Sequence, residues 1–573
     1  MMTIIKRTLF ILSVVLFCCK MNVKAAGQEA VYLQTDRTTY IAGESVFYQL
    51  YVFDLVTKKR SDLSKVGYIE LRAPKSDPAL KIWVKVDAGM ASGSLVLPDT
   101  LPSGVYQMVA FTSVMKNFGE QYFFHKEIMI VNRFDKKLDL RSVKSSSNDS
   151  SQYHRTDTLP WIKTDKAVYG PREKVIVTLG KTDIKANVAV SVYEEPQIKA
   201  TEKSIVETLN KCVVPATKLT STAYLPESKA RILRGRVIDE TTREGVQAAT
   251  VFLSCLDSVA NLQYASTDSN GIFQMLLSDY YSGKELFFTI KDMPVGQKWK
   301  MEIEDNFILS EKWKPELISY KGDFKDYIYK SQDIVYINKS FGLDESVNEN
   351  PIFENKPHCP QLYRSTVKSV YPSDFVPLDS FPEIVIEILP TVKLTRHDGK
   401  YQAYVMISSQ GNTYTDREPL IFLDGVYVDD IQKIIDLNSA KIKKIDVLDN
   451  VRILGDLIFY GAVSIISKSN EIISTVPAPN SLRYKNENRN VGKSFVVVNP
   501  DSIKDHHTPF FKQLLYWNPN LELKKDDNTA FDFYTSDNTA NFIIKVEGIS
   551  ENGTPISASS VIKVNNPINV TVK

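Results

Sequence analysis

The chain has 573 residues with a near-neutral balance, 70 Lys and Arg against 68 Asp and Glu, which gives no support to a nucleic-acid-binding protein. Five cysteines are too few for a disulfide scaffold, and the length predicts roughly four domains at about 150 residues each. A hydrophobic fraction of 43% is typical of a globular protein, and 28 Tyr and 27 Phe favour strands over helices.

The N-terminus has the layout of a signal peptide. Lys6 and Arg7 precede an apolar run over residues 8–19, and Val23 and Ala25 occupy the −3 and −1 positions of a cleavage site. The apolar run is shorter than the ~20 residues that a membrane-spanning helix needs. We therefore expect residues 1–25 to be removed on export, which takes away four cations and no acid and changes the formal net charge from +2 to −2.

An alternative form of processing is that of a lipoprotein, with Cys18 or Cys19 as the acylated residue. Phe17 stands before Cys18, where a small residue is expected, and this favours simple cleavage. Either form predicts an exported protein, located in the periplasm or associated with the outer membrane.

An internal repeat is visible before any functional motif. Residues 35–46 (TDRTTYIAGESV) and 164–175 (TDKAVYGPREKV) share the pattern T-D-[KR]-x-x-Y-x-x-x-E-x-V. Each copy predicts a strand, a turn and a second strand. The segment between the copies, 141–158, is polar and rich in serine, as expected for a linker.

The first copy carries a family resemblance. Residues 31–46 (VYLQTDRTTYIAGESV), with LPSGVY at 101–106, resemble the macroglobulin-like domains of alpha-macroglobulins, and more closely a bacterial group that joins such domains to a receptor-plug-like segment. The resemblance implies a sandwich over 29–133, a linker over 134–159 and a partial second sandwich over 160–228. The chain has no Cys-Gly-Glu-Gln thioester string, so we expect no covalent protease trap.

A second pattern follows at 231–253 (RILRGRVIDETTREGVQAATVFL) and 265–277 (ASTDSNGIFQMLL). Its Asn270-Gly271 pair suits a tight hairpin turn with positive φ. The pattern resembles the carboxypeptidase regulatory-like domain, which implies a non-catalytic seven-stranded sandwich over 231–292. Residues 293–370 are interpreted as an irregular connector with a few strands.

A third pattern occupies 371–468. It consists of a short helix at PEIVIEI, a buried strand PLIFLDGV entering an Asp-Gly turn, an alternating strand IKKIDVL and a closing strand YGAVSIISK. This order is similar to the plug domain of TonB-dependent receptors. In that family the plug fills a 22-stranded barrel, and the 105 residues after Lys468 are too few to build one, so we expect that the chain is not itself a transporter.

Residues 495–573 predict a further small Ig-like sandwich, with Gly548 and Asn552-Gly553 at hairpin turns. The predicted fold class is therefore mainly β: a string of Ig-like and macroglobulin-like sandwiches with one small α+β plug-like domain.

Catalytic constellations are not found in the sequence. The chain contains no H-E-x-x-H, G-x-x-x-x-G-K-[ST], G-x-S-x-G or C-x-x-C motif. Adjacent His506 and His507 would face opposite sides of a strand, and the Asp-Gly turns lack the several acids of a calcium loop. We predict no catalytic residue, no cofactor and no metal.

The leading hypothesis is a non-enzymatic binding or scaffold protein whose plug-like domain docks an envelope partner, either an outer-membrane β-barrel or a TonB-type protein. The candidate contact residues lie in and after the Asp-Gly turn: Asp424, Gly425, Val426, Asp429 and Asp430. A purely structural role of these residues, in the turn and in capping a helix, stays open. The alternative function is a receptor that captures a glycan or peptide for a separately encoded TonB-dependent transporter.

Overall fold

The computed structural model describes a large part of the chain, namely residues 28–74, 78–135, 143–145, 160–195, 198–199, 203–213, 223–294, 296–307, 313, 318–320, 324–343, 346–347, 362, 367–469, 480–492, 494–503 and 507–565. The signal-peptide region and most of the predicted linker lie outside these ranges. Strands dominate what is described, so the predicted mainly β fold class is confirmed.

The strands are numbered in chain order. The first fourteen are β1 (Glu29–Thr35), β2 (Thr39–Ile41), β3 (Ser45–Asp54), β4 (Val66–Arg72), β5 (Pro78–Lys85), β6 (Met90–Val96), β7 (Gly104–Phe111), β8 (Phe124–Val131), β9 (Val143–Ser145), β10 (Ile162–Thr164), β11 (Val168–Tyr169), β12 (Lys174–Leu179), β13 (Ala186–Glu194) and β14 (Ile198–Lys199). The next nine are β15 (Arg231–Asp239), β16 (Thr250–Cys255), β17 (Gln263–Ser266), β18 (Ile272–Leu277), β19 (Glu285–Lys291), β20 (Trp299–Ile303), β21 (Ile318–Tyr320), β22 (Ser346–Val347) and β23 (Lys368–Val370). The remaining strands are β24 (Val392–His397), β25 (Lys400–Ile407), β26 (Thr413–Tyr414), β27 (Leu420–Leu423), β28 (Val426–Val428), β29 (Ile442–Leu454), β30 (Leu457–Ser467), β31 (Ser481–Lys485), β32 (Ser494–Phe495), β33 (Leu514–Leu523), β34 (Thr529–Tyr534), β35 (Asn541–Ser550) and β36 (Pro555–Val564).

Helices are few in the described ranges. The α-helices are α1 (Ile205–Lys211), α2 (Phe324–Phe341) and α3 (Phe381–Ile388). Short 3-10 helices span Ser113–Asn117, Glu120–Tyr122, Asp279–Tyr281, Pro372–Asp374, Ser408–Gln410, Ile431–Ile434, Ser439–Lys441 and Pro500–Ser502.

The chain divides into two compact units that interleave along the sequence. The first contains the described residues within 1–229, 309–350 and 490–573, and the second those within 230–308 and 351–489. The chain therefore leaves the first unit and returns to it twice.

The first unit begins with a two-sheet sandwich. Its sheets have the strand orders β1-β3-β6 and β2-β8-β7-β4-β5. Every residue of β1 and of β4 is buried, because one face of each strand lies in the sandwich core and the other face is covered within the same unit.

A second sandwich in this unit is built from two distant parts of the sequence. Its sheets are β10-β12-β34 and β11-β36-β35-β13-β33, so in both sheets strands from 162–194 pair with strands from 514–564. The predicted partial sandwich at 160–228 and the predicted separate sandwich at 495–573 are therefore two halves of one domain. Its core draws Val177, Val190, Phe533 and Ile544 from both halves, and neither half has a complete set of partner strands alone.

The two sandwiches of the first unit pack face to face. Phe47 of the first contacts an apolar cluster of the second that includes Trp517 and Ile543. At the centre of this interface, Glu547 is fully buried and accepts a hydrogen bond from the hydroxyl of Tyr32. Buried carboxylates need such partners, so the polar contact fixes how the two sheets align.

Helix α2 lies in a region that the sequence predicted as irregular. Its buried Ile328 and Val335 pack on an apolar patch of the first sandwich made of Ile41, Val105, Met129 and Val131. The equivalent positions of the second sandwich are polar or lack a side chain: Gly170, Asn541, Lys563 and Asn565. The apolar patch explains why the helix covers the first sandwich rather than its repeat. The helix was missed because its Tyr, Ile and Val content is typical of strands.

The second unit contains a third sandwich and an α+β domain. The sandwich has the sheets β18-β15-β20 and β17-β16-β19-β31, and its last strand, β31, comes from beyond the predicted 231–292 segment. The α+β domain over 367–469 is thus inserted before the strand that completes the sandwich. Gly271 has φ +75°, as predicted for the Asn-Gly hairpin turn.

The α+β domain has the predicted order of elements. Helix α3 covers PEIVIEI, and the five-stranded sheet runs β23-β29-β30-β27-β28, beside a second small sheet β24-β25-β26. One face of the larger sheet packs on α3 and the smaller sheet, through Ile384, Val405 and Ile465. The other face packs on the third sandwich, through Phe252 against Phe422 and Phe459. Both faces of this sheet are therefore covered within the second unit.

Candidate functional site

The repeated sequence motif forms the same hydrogen-bonded corner twice. In the first sandwich Asp36 accepts from the Tyr40 hydroxyl at 2.8 Å and from the Phe47 backbone N–H at 2.9 Å. In the second, Asp165 accepts from the Tyr169 hydroxyl and from the Ile176 N–H, both at 2.8 Å. These hydrogen bonds, which close the corner between two strands, therefore explain the spacing that the two copies share.

The motif's glutamate plays a matching role in both copies. Glu44 accepts from the backbone N–H of Ile41 at 2.7 Å, and Glu173 accepts from that of Gly170 at 2.6 Å. Since backbone N–H groups at a turn need partners, this carboxylate closes the corner.

The two corner aspartates differ in burial, and this separates their titration. Burial raises the pKa of Asp36 from 3.8 to about 7, against the opposing effects of Arg37, Tyr40 and the Phe47 N–H. For Asp165, burial is the largest single effect and raises the pKa, but the hydrogen bonds from the Ile176 N–H and the Tyr169 hydroxyl together outweigh it and hold that pKa below its usual value. A raised pKa means that the folded state binds a proton more tightly than the unfolded state, so the contribution of Asp36 to stability is lost as the pH rises through about 7.

We expect Asp36→Asn to become more favourable relative to the wild type between pH 4.5 and pH 8. The interval from pH 4.5 to the raised pKa of about 7 spans about 2.5 pH units, which corresponds to about 3 kcal/mol of unfolding free energy. Asp165→Asn is the matched control, and its stability relative to the wild type should stay nearly constant between these pH values, because the lowered pKa of Asp165 lies below this interval and its carboxylate is ionised throughout. Urea unfolding of the mature chain at the two pH values measures both differences. Parallel pH profiles for the two variants would contradict the assignment.

The predicted docking turn is buried inside the second unit. Asp424 is 3% exposed and accepts hydrogen bonds from the Ser467 N–H and hydroxyl, both at 2.6 Å. Its carbonyl accepts from the Asp257 N–H at 3.0 Å. Val426 is buried in the core between the sheet and α3. These side chains therefore hold the domain together and are not available to another protein.

Gly425 is the point where the turn meets the third sandwich. It has φ +83°, and a Cβ built there would lie 2.8 Å from the carbonyl oxygens of Cys255 and Asp257. The next residue, Tyr427, donates its N–H to the Ser254 hydroxyl at 3.1 Å. Only glycine allows this close approach, since it lacks a side chain and tolerates positive φ.

Asp429 and Asp430 stabilise the local structure after the turn. Asp429 forms an ion pair with Lys433. Asp430 caps the 3-10 helix Ile431–Ile434 by accepting from the Gln432 N–H at 2.9 Å. The predicted helix opening with a carboxylate at its start is confirmed, in the form of a 3-10 helix.

The surface beside this turn is acidic. Burial raises the pKa of Glu418, and the like charges of Asp430 and Asp292 raise it further. Burial likewise raises the pKa of Tyr427, with added contributions from Asp429 and Asp292. Both pKa values are therefore raised mainly by burial, and the nearby negative charges add to the effect.

Several exposed apolar side chains of the α+β domain lie outside the Asp424 turn. Tyr371, Phe375 and Val376 follow the edge strand β23, and Ile386 stands on the outer side of α3. Val376 is 75% exposed and Ile386 is 77% exposed. Sequence analysis missed these residues because an apolar residue in a short helix or after a strand is normally taken as core. The flanking exposed acids of α3, Glu383 and Glu387, were the available signal that Ile386 faces outward.

The described residues do not assemble a metal centre: no group of three or more His, Cys, Asp and Glu among them is arranged to hold an ion. Cys212 and Cys255 are free thiols in the described ranges, and burial raises the pKa of each. His506 lies outside the described residues, so the interpretation of the His506-His507 pair stays a prediction. Within the described residues, no helix is both long and apolar enough to cross a membrane.

No protein-family model and no curated protein sequence matches this chain. Among solved structures, it is similar to Salmonella alpha-2-macroglobulin reacted with methylamine, with 8% identity and a TM-score of 0.25, over 96% of this chain and 40% of that one. It is similar to trypsin-activated Escherichia coli alpha-2-macroglobulin, with 8% identity and a TM-score of 0.24, over 95% and 42%. It is also similar to the Yersinia pseudotuberculosis adhesin InvE, with 11% identity and a TM-score of 0.13, over 48% and 58%.

The chain spans about 40% of the length of these alpha-2-macroglobulins. The described sheets themselves define the class of protein: a mainly β chain of sandwiches with one inserted α+β domain. The predicted plug-like and regulatory-like family assignments stay predictions.

Proposed function

We propose that the protein is a non-enzymatic, exported binding or scaffold component of the cell envelope that docks a partner protein through its α+β domain. The observation that carries the proposal is the exposure of four large apolar side chains on this domain, Tyr371, Phe375, Val376 and Ile386. Large exposed apolar side chains on an otherwise packed domain are typical of protein-contact surfaces. The Asp424 turn has no part in this contact.

The charges around this surface favour one kind of partner. Exposed acids lie within a few residues of these apolar side chains in the sequence: Asp374, Asp379, Glu383 and Glu387. A partner with an apolar patch bordered by Lys or Arg would complement both the centre and the rim. We propose that this partner is an envelope protein, either an outer-membrane barrel or a TonB-type protein.

The test uses the tagged, full mature protein crosslinked in native envelopes. We expect one envelope protein to be recovered at near-equal stoichiometry, and its recovery to fall at least about tenfold with the pair Val376→Asp and Ile386→Asp, since each buried apolar contact is worth about 1.5 kcal/mol or more. Val56→Asp is the matched control, because Val56 is a comparably exposed valine (71%) in the first unit.

Two results would refute the docking proposal. One is recovery of no envelope protein by the wild type. The other is undiminished recovery by the Val376 and Ile386 pair, which would place the contact elsewhere. Thermal melting of each variant establishes that a loss of recovery is not a loss of fold.

A further inference from the structure

The hairpin formed by β24 and β25 presents a flat outward face. Its residues pair as Lys393 with Tyr404 and Thr395 with Gln402, on the face away from the core. The alternate pairs, Val392 with Val405 and Leu394 with Ala403, point inward, and all but Leu394 of those four are fully buried. The outward face is thus held rigid by the packed side beneath it.

Two tyrosines on this face are fixed by their hydroxyl groups. Tyr404 donates to the Gln402 side-chain oxygen at 3.0 Å, and Tyr414 donates to the Pro390 carbonyl at 2.9 Å. Tyr414 lies on β26, opposite Met406, and therefore extends the same face. Lys393 Nζ stands 5.7 Å from the centre of the Tyr414 ring. The outward face therefore combines two positioned tyrosine rings with the amide of Gln402 and the ammonium group of Lys393.

Positive charge is concentrated on this hairpin. Residues 392–407 contain Lys393, Arg396 and Lys400 against the single acid Asp398, and the strand register places Lys393 and Lys400 on the outward face. The His397 Nδ1 atom lies 3.6 Å from the Asp398 carboxylate. A ligand that fits this face is flat, hydroxyl-rich and anionic.

We propose that the outward face of the β24–β26 sheet binds an acidic polysaccharide. Sugar rings would lie against Tyr404 and Tyr414, hydroxyl groups would meet the Gln402 amide and the Thr395 hydroxyl, and carboxylate or sulfate groups would pair with Lys393 and Lys400. Single-stranded nucleic acid offers rings and charges too, but it needs a larger basic excess than this hairpin carries. The site is independent of the apolar docking surface.

The test measures retardation of the full mature protein in native gels that contain polygalacturonate, sulfated dextran, neutral dextran or an oligothymidylate. We expect retardation by one or both anionic polysaccharides that weakens with salt, and little by neutral dextran. Tyr404→Ala should weaken binding roughly tenfold, and Lys393→Gln should weaken it and reduce its salt dependence. Tyr329→Ala removes an exposed tyrosine of α2 and should leave binding unchanged.

Three outcomes would overturn the proposal. They are no retardation by either anionic polysaccharide, equal retardation of wild type and Tyr404→Ala, and tighter binding of the oligothymidylate. Because the assay uses purified protein without an envelope, its failure is separate from a failure of partner docking.

Discussion

Truncation after Arg489 is expected to abolish the second sandwich completely. The deletion removes β33 and β35, which are the two neighbours of β13, and β34, which pairs with β12. Val188, Val190 and Phe47 would then lose their buried partners. Each such side chain is worth about 1.5–3 kcal/mol, so exposing these three costs about 4.5–9 kcal/mol, which is comparable with the 5–15 kcal/mol that normally stabilises a domain.

Limited proteolysis of the mature chain and of the truncated chain measures this effect. We expect rapid cleavage within 160–213 of the truncated chain, and an unfolded amide spectrum for the isolated fragment 490–573. A chain shortened only by 566–573 serves as the control and should match the wild type. If 495–573 were a separate Ig-like sandwich, the isolated fragment would give a dispersed spectrum and the truncated chain would keep its protease resistance.

Local elements were predictable from the sequence, whereas their partners were not. Alternation and turn residues located β29, β30 and the Asn-Gly hairpin, because these depend on neighbouring residues. The pairing of Tyr193 with Leu514, or of Thr289 with Ser481, joins strands far apart in the chain. A strand pattern does not identify which edge it will meet, so the nested insertions were interpreted as consecutive domains.

The Asp424-Gly425 turn shows the same limit of prediction from sequence for a single site. Asp398-Gly399 and Asp424-Gly425 are the same dipeptide with nearly the same positive φ values, yet the first is exposed and the second is buried. The flanking residues distinguish them, since Leu420–Leu423 is wholly apolar while β24 and β25 alternate with polar residues. A wholly apolar strand indicates a sheet covered on both faces, and this signal favoured a buried turn.

Gly425→Ala is expected to destabilise the second unit by about 3 kcal/mol or more. Alanine at positive φ costs about 1–2 kcal/mol, and overpacking against backbone adds about 1–3 kcal/mol. The nearest atoms are backbone oxygens of Cys255 and Asp257, which cannot rotate away as a side chain would. Gly399→Ala is the matched control, since Gly399 has φ +80° in the same kind of turn and nothing lies within 4 Å of its added Cβ.

Gly399→Ala should lower the unfolding free energy by only the about 1–2 kcal/mol that alanine costs at positive φ. The difference between the two variants therefore measures the packing of the α+β domain on the third sandwich. Thermal melting of the two mature variants gives the loss of stability, and the rate of trypsin cleavage at Arg417 and Lys433, which flank the turn, gives its location. Equal losses of stability in the two variants would mean that the turn does not pack against the third sandwich. A larger loss of stability at Gly425 would show that this turn, which the sequence suggested as a docking site for another protein, packs against the third sandwich of the same chain.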